Sequence, residues 1–294
     1  MRLNSGSGVH NLVEIKNFSY WLLKVGDGDI GDSVDGESLI AIPPELLIGE
    51  SEDPLSDMVD FVYPNILDHI LDPAFFKERA ILTPRLEDVS ILNERLKSLI
   101  PGEEKTYLSS DNVLKQDANS QLEDNAFSPD ILNTFSCSGL PEHKLTLKVN
   151  VPVMLLRNID QSRGLYNGTR LLISRLGSHV VEASVLTGSN IGESVLIPRM
   201  TMSPSNHTFP VYFQRRQFPL TVSFVMTINK SQGQSLSHVG IYLPRPVFTH
   251  GQLCVVLSRV KSKQGLKILI LDDNGCVTEN TFNIVYKEVF QKLV

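Results

Sequence analysis

Residues 227–235 bring a hydroxyl, several amides and an ammonium group together in one short stretch. They follow the apolar run at 221–226, which is typical of a buried strand, and we predict that a helix begins directly after Thr227. In a parallel α/β sheet, ligands bind beyond the carboxyl ends of strands, and the free backbone N–H groups of a helix start bind phosphate. The pattern therefore predicts a phosphate-binding site. The alternative is that Thr227 or Asn229 only caps the helix and that Lys230 is solvated.

A second candidate segment spans residues 247–260 and contains Arg259. Thr249 followed by Gln252 matches a helix capping box, and we predict a helix over about 251–260. Arg259 lies near the end of this helix, next to its apolar face, where a half-buried cation requires an anionic partner. A carboxylate is one such partner. The other is a transferring phosphoryl group, whose charge a planar guanidinium stabilises.

Several motifs of common catalytic sites are absent from the sequence. There is no G-x-x-x-x-G-K-[ST] loop and no Asp-Glu dipeptide at a strand end, so the usual residues that hold nucleotide phosphates and Mg²⁺ are missing. G-x-S-x-G and H-E-x-x-H are also absent, and no G-x-G-x-x-G follows a predicted strand. The cysteines, Cys137, Cys254 and Cys276, are too few and too scattered for a disulfide framework or a C-x-x-C site, and we predict no metal site.

Charge is distributed unevenly along the chain. Of the 294 residues, 41% are hydrophobic and 20% are charged, which is typical of globular proteins, and the formal net charge is −6. Residues 1–130 contain 25 acidic and 10 basic residues (−15), whereas residues 131–294 contain 8 acidic and 17 basic residues (+9). The second part could bind a polyanion, and the alternative is a pair of surfaces that attract each other. Because no run approaches the roughly 18 apolar residues of a membrane span and the first residues lack a signal peptide, we expect neither a membrane partner nor secretion.

The order of predicted elements indicates an α/β fold with a mostly parallel sheet and helices on both of its faces. Its strand candidates are the apolar runs at 80–82, 106–109, 221–226, 239–243 and 266–271. Near-helical apolar spacing also predicts a docked helix at 9–25. Short alternating segments between about 144 and 202 indicate a small antiparallel barrel or sandwich inserted into the larger domain.

Two segments resemble motifs of a known family. Residues 226–234 and 249–260 are similar to motifs V and VI of the Pif-type DNA helicases of superfamily one, which include the plant Helitron transposon helicases. The resemblance covers nearly the whole chain, with further similar segments at 1–3, which looks like the end of motif IV, at 81–84, 138–141, 147–158 and 167–170. Cys254 and Val256 depart from the family pattern, which usually has Tyr and Ala there.

The resemblance implies that the chain is the C-terminal portion of such a helicase, with a RecA-like parallel sheet that carries an inserted small β-barrel. The implied domains are a helical and acidic-loop segment continuing from a missing first lobe (1–79), the first part of the second RecA-like lobe (80–130), the inserted barrel (131–215) and the remainder of the lobe (216–294).

The resemblance also implies roles for individual residues. In the family, ATP binds between two RecA-like lobes and single-stranded DNA runs across both. By the motif match, Arg2 and Arg259 would contact the γ-phosphate, and Gln232 and Gly233 would couple nucleotide to DNA. The residues that would hold DNA phosphates are Thr83, Thr227, Asn229 and Lys230.

The implied function is that of an ATP-dependent helicase moving 5′ to 3′ on single-stranded DNA, in the nucleus or the mitochondrion, in DNA repair, recombination, telomere maintenance or transposition. ATP and Mg²⁺ are cofactors of the intact family enzyme. Because the P-loop half is missing, we predict that this chain alone binds neither tightly and does not hydrolyse ATP. Its partners would be single-stranded DNA and a first RecA-like lobe supplied by a longer product. Two other interpretations stay open: a DNA-binding or protein-binding remnant without motor activity, and an unrelated phosphate-handling α/β protein that does not bind oligonucleotides.

Overall fold

The computed structural model describes residues 9–31, 33–114, 128–136, 139–188, 190–204 and 211–291. The helices of these residues are α1 (Val9–Asp27), α2 (Pro54–Val62), α3 (Pro73–Lys77), α4 (Leu86–Leu99), α5 (Pro129–Thr134), α6 (Gln252–Leu257) and α7 (Glu288–Gln291). Single 3₁₀ turns lie at Pro44–Leu46, Ile228–Ser231 and Lys263–Gly265. The strands are β1 (Ser33–Val34), β2 (Glu37–Ala41), β3 (Arg79–Thr83), β4 (Lys105–Leu108), β5 (Ser110–Val113), β6 (Lys144–Leu147), β7 (Pro152–Leu155), β8 (Arg170–Leu176), β9 (Val180–Val185), β10 (Ser194–Pro198), β11 (Met200–Met202), β12 (Phe213–Gln217), β13 (Leu220–Val222), β14 (Val225–Thr227), β15 (His238–Leu243), β16 (Leu266–Ile270) and β17 (Asn280–Ile284).

The chain divides into two compact units. The first comprises Met1–His69, Glu78–Leu92 and Phe224–Val294, and the second comprises Ile70–Lys77 and Asn93–Ser223.

The centre of the first unit is a parallel sheet with the strand order β14-β3-β15-β16. Its strands are continuous apolar runs rather than alternating ones, as expected where both faces of a sheet are covered. Helix α2 packs on β15 and β16. This approach is close because β15 contributes Gly240: a Cβ atom there would lie 2.9 Å from side-chain atoms of Met58 and Val62.

A second, antiparallel sheet of the first unit has the order β1-β2-β17. Near it, α1 packs against α6, and a Cβ atom at Gly26 would lie 2.9 Å from the Cys254 Sγ. The buried Asn283 of β17 donates a hydrogen bond from Nδ2 to the Val25 carbonyl at 2.7 Å, which joins this sheet to α1. The helix predicted at 9–25 is confirmed and is two residues longer at its end.

The strands of the second unit form antiparallel sheets with the orders β10-β9-β8-β7-β13, β11-β12-β5 and β4-β6. Antiparallel pairing in this region agrees with the sequence prediction. The small barrel itself is not confirmed, because within the described residues these strands belong to separate sheets rather than to one closed sheet.

Two predicted strands of the parallel sheet differ from the structure. The apolar run at 221–226 is split: Leu220–Val222 forms β13, which pairs antiparallel with β7, and only Val225–Thr227 (β14) joins the parallel sheet. The segment at 106–109 overlaps β4, which pairs antiparallel with β6, so the parallel sheet of the described residues has four strands and not five. The helix predicted from Ile228 is also wrong, because only a 3₁₀ turn forms there: Gln232 leaves the helical conformation with a ψ of 132°, and Gly233 follows with a φ of 82°. Within the described residues, no helix is long and apolar enough to cross a membrane.

Candidate functional site

Two threonines stand side by side at the carboxyl ends of neighbouring parallel strands. Thr83 ends β3 and Thr227 ends β14, and the two residues are directly paired in the ladder between these strands. The Thr83 side chain is buried, and among the described residues its Oγ1 atom has no hydrogen-bond partner. A buried hydroxyl normally has such a partner, so the Thr83 hydroxyl retains hydrogen-bonding capacity at this end of the sheet.

The 3₁₀ turn after Thr227 presents the polar residues that the sequence singled out. Asn229 is exposed and Lys230 is half-buried, while Ser231 is buried and donates from Oγ to the Ile228 carbonyl at 2.7 Å. Thr227 makes no side-chain capping bond to the turn, so capping does not explain its presence. Thr83, Thr227, Asn229 and Lys230 therefore lie at or directly after one edge of the sheet.

Arg259 lies just beyond α6 and is partly buried. Its guanidinium donates to the Val255 carbonyl at 2.9 Å, the Ser258 Oγ at 2.8 Å and the Gln234 carbonyl at 3.4 Å. No ion pair recorded for the described residues includes Arg259. Burial partly desolvates the charge of this guanidinium and so lowers its pKa. A phosphate oxygen would offset that penalty, so the residue fits the phosphate of a nucleotide.

The structure brings the two predicted segments together. Because Arg259 bonds the Gln234 carbonyl, it lies next to the turn that contains Gln232 and Gly233, both of which are exposed. Arg2, the other predicted γ-phosphate contact, lies outside the described residues.

The predicted capping box at the start of α6 is wrong. The N-cap residue is Gly251 and not Thr249; its φ is 69° and it has no side chain that could cap the helix. The side chain of Gln252 accepts a hydrogen bond from the Phe248 N–H at its Oε1 atom, at 3.1 Å. The left-handed conformation of Gly251 replaces the β conformation that a threonine cap needs. The helix is also shorter than expected and ends at Leu257.

The sequence prediction missed Asp88, which lies in the first turn of α4 close to Arg245 and Arg85. Burial raises the pKa of Asp88 above its usual value, although the two arginines oppose this shift. Among the described residues, its buried Oδ2 atom has no hydrogen-bond partner. A carboxylate that follows a strand end by a few residues, as here after β3, is the signal that could have revealed it.

Replacing Asp88 by Asn is expected to raise the free energy of unfolding at pH 7 by only a fraction of about 1 kcal/mol, because solvent screens this partly exposed carboxyl group. The pKa of Asp88 is higher in the folded chain than in the unfolded chain, so protonation of Asp88 favours the folded state. This stabilisation is complete below the unfolded pKa of about 3.9, and it is lost as the pH rises through the pKa of the folded chain. The gain of the variant should therefore shrink as the pH is lowered. Urea unfolding at several pH values measures it. The exposed neighbour Glu87, changed to Gln, is the control, and an equal gain there would contradict the assignment.

Among the described residues, no cluster of three or more His, Cys, Asp or Glu side chains is placed to hold a metal ion.

Comparison with known sequences identifies relatives of this chain. Residues 130–176 match the family model of the 2B domain of the DNA helicase Pif1. The chain is 32% identical over 218 residues to the ATP-dependent DNA helicase PIF1 of Xenopus laevis, covering 72% of this chain and 31% of that protein. It is 31% identical over 189 residues to human ATP-dependent DNA helicase PIF1, covering 63% of this chain and 26% of that protein. The chain thus spans about a third of the length of the curated relatives that it matches.

Comparison with solved structures establishes the fold. The Pif1 helicase of Candida albicans aligns with a TM-score of 0.58 at 21% identity, covering 95% of this chain and 57% of that one. Unliganded Pif1 from Bacteroides sp aligns with a TM-score of 0.50 at 19% identity, covering 95% and 53% respectively. The parallel sheet of the first unit is accordingly RecA-like.

Proposed function

Because this chain is related to the Pif1-type DNA helicases, we propose that it is the C-terminal part of an ATP-dependent helicase that moves 5′ to 3′ on single-stranded DNA. The observation that carries the proposal is the pairing of Thr83 and Thr227 at adjacent strand ends, directly before Asn229 and Lys230. Two hydroxyls, an amide and an ammonium group at this end of the sheet are hydrogen-bond donors suited to successive phosphates of a DNA strand.

The proposed domain arrangement follows the resemblance: a segment at 1–79 continuing from a first lobe, the second RecA-like lobe at 80–130 and 216–294, and an inserted barrel at 131–215. The compact units of the structure divide at other positions, since the second unit takes in all of Asn93–Ser223. The match of residues 130–176 to the Pif1 2B domain supports an inserted domain in this region.

ATP and Mg²⁺ would bind together with a P-loop lobe, which would hold the phosphates and the metal. In this proposal Arg259 and Arg2 contact the γ-phosphate, and Gln232 and Gly233 couple the nucleotide to DNA. The partial desolvation of Arg259 supports its contact with the γ-phosphate. Its bond to the Gln234 carbonyl supports the coupling role of the neighbouring Gln232 and Gly233. We propose that the chain alone does not hydrolyse ATP, since the sequence contains no P-loop motif.

The relatives are ATP-dependent DNA helicases by name, which supports an action on DNA. From the resemblance in the sequence we further propose a role in the nucleus or the mitochondrion, in DNA repair, recombination, telomere maintenance or transposition of the Helitron type. A remnant that binds DNA without motor activity would share the same strand edge. Coexpression with a P-loop lobe distinguishes a helicase part from such a remnant, because DNA-stimulated ATP hydrolysis is then expected only of the helicase part.

The proposal is tested by replacing Asn229 and Lys230 together with Ala and measuring fluorescence anisotropy of a labelled oligothymidylate. Removing a charge-assisted phosphate contact is expected to weaken binding by about tenfold or more and to reduce the salt slope by about 0.7. The matched control replaces Lys16 and Asn17, an exposed Lys-Asn pair on α1, with Ala. A folded wild-type chain that does not bind the oligonucleotide, or an equal loss in the control, would overturn the proposal.

A further inference from the structure

An arginine and a phenylalanine form an exposed pair at the same end of the parallel sheet. The Arg85 guanidinium carbon lies 5.6 Å from the centroid of the Phe248 ring, within the range of a cation–π contact. Phe248 is 51% exposed, and Arg85 is exposed as well. The ring therefore presents a large apolar surface to solvent beside a cation that no ion pair of the described residues includes.

The chain places this pair at the same end of the parallel sheet as the two threonines, on the β15 side of Thr83. Arg85 follows Thr83 by two residues, and its carbonyl accepts from the Val89 N–H at 3.3 Å in the first turn of α4. Phe248 follows β15, the strand that pairs with β3 on the side away from β14. Arg85 thus reaches from the strand end of Thr83 to the loop after the neighbouring strand.

The backbone of Phe248 is fixed although its ring is exposed. Its N–H donates to the Oε1 atom of Gln252, a residue only 3% exposed, and the preceding Val247 is buried. Because the backbone of Phe248 is already ordered, only the ring torsions lose freedom when a flat ligand covers the ring, which favours binding.

We propose that Arg85 and Phe248 form a base-stacking contact for single-stranded nucleic acid, beside the phosphate contacts of Thr83 and Thr227. An aromatic face accepts the π-face of any base, and a neighbouring guanidinium adds a cation–π contact and a phosphate donor. This inference rests on the proposed function, and adds to it a residue pair that contacts bases rather than phosphates. Phe282, another exposed aromatic residue of the first unit, lies on β17, which belongs to the antiparallel sheet and not to the parallel sheet that carries the threonines.

The test compares two labelled ligands of equal length: oligothymidylate, and an abasic strand that keeps the sugar-phosphate backbone. Phe248→Ala is expected to weaken oligothymidylate binding by about 5- to 100-fold and to leave binding of the abasic strand unchanged. Phe248→Trp is expected to bind oligothymidylate about as tightly as wild type. Oligothymidylate should quench the fluorescence of the new tryptophan, which is seen in addition to the fluorescence of Trp21. Phe282→Ala is the matched control, because it removes an exposed phenylalanine of the same unit.

The outcomes separate this inference from the proposed function. If the Asn229 and Lys230 double variant weakens binding of both ligands while Phe248→Ala binds oligothymidylate like wild type, the stacking contact is overturned and the phosphate contacts stand. If wild type binds neither ligand, both are overturned. If Phe248→Ala weakens binding of both ligands equally, the ring acts through the fold, and the stacking contact is overturned as well. Thermal unfolding of each variant confirms that it is folded.

Discussion

Replacing Arg215 by Leu is expected to lower the free energy of unfolding of the second unit by about 3 to 5 kcal/mol. Neither Arg215 nor Asp111 exposes its side chain, and Nη2 of the arginine lies 2.7 Å from Oδ2 of the aspartate. The guanidinium also donates to the carbonyls of Leu132, Phe135 and Pro141 at 2.8 to 3.0 Å. The substitution leaves a buried carboxylate without its cation and removes one donor from each of three carbonyls, which is far costlier than losing an exposed pair.

Far-UV circular dichroism during urea unfolding measures this loss, and Trp21, the single tryptophan, reports separately on the first unit. The matched control is Arg175→Leu, which breaks an exposed pair with Glu182 and should change stability by about 1 kcal/mol or less. Replacing Asp111 and Arg215 together by Leu should recover part of the loss, because no buried charge is then left unpaired. A loss no larger than that of the control would contradict this account.

Arg215 also explains how part of the region similar to the Pif1 2B domain is held in place. Two of its carbonyl partners, Leu132 and Phe135, lie in α5 and at its end, inside the matched residues 130–176. Arg215 itself lies on β12, outside that range, and pairs through Asp111 with β5. We therefore expect variants at Arg215 to loosen α5 first.

Local patterns in the sequence predicted much of the first unit correctly. The apolar runs at 80–82, 239–243 and 266–271 correspond to β3, β15 and β16. They could be predicted because a strand that is covered on both faces consists mainly of apolar residues. The same reasoning failed for 106–109. That segment also follows a helix and is partly apolar, but its partner β6 lies far along the chain, and no local signal distinguishes antiparallel pairing with it from a place in the parallel sheet.

The candidate site was predictable where it depends on strand ends and not where it depends on side-chain contacts. Thr83 and Thr227 follow apolar runs, so parallel pairing alone brings them together. The contact between Arg85 and Phe248 joins loops after different strands, and it depends on the path of the chain from Leu243 to Phe248, which two prolines shape. The capping box failed for a related reason, since Gly251 adopts a conformation that only the tertiary structure selects.

Joined to the P-loop half of a Pif1 helicase, this chain is expected to lose at least about 10³-fold in the rate of ATP hydrolysis when Arg259 is replaced by Ala. In the proposed role, the guanidinium stabilises charge that develops on the transferring phosphoryl group. Lys should not substitute for it, because an ammonium group lacks the planar donor fork. Among the described residues, the Arg259 side chain bonds two carbonyls and a hydroxyl and belongs to no ion pair, so its charge has no carboxylate partner and a phosphate could supply the missing anion.

Phosphate release in the presence of single-stranded DNA measures the effect, with Arg175→Ala as a control that removes an arginine of the second unit. Thermal unfolding of Arg259→Ala should show a small change, since the lost hydrogen bonds are each worth about 1 kcal/mol. Without the P-loop half, wild type should release no more phosphate than Arg259→Ala. If the joined Arg259→Ala protein keeps more than about a tenth of the wild-type rate, the residue does not act on the transferring phosphate, and its partial burial serves only the contact between α6 and the turn at Ile228–Ser231.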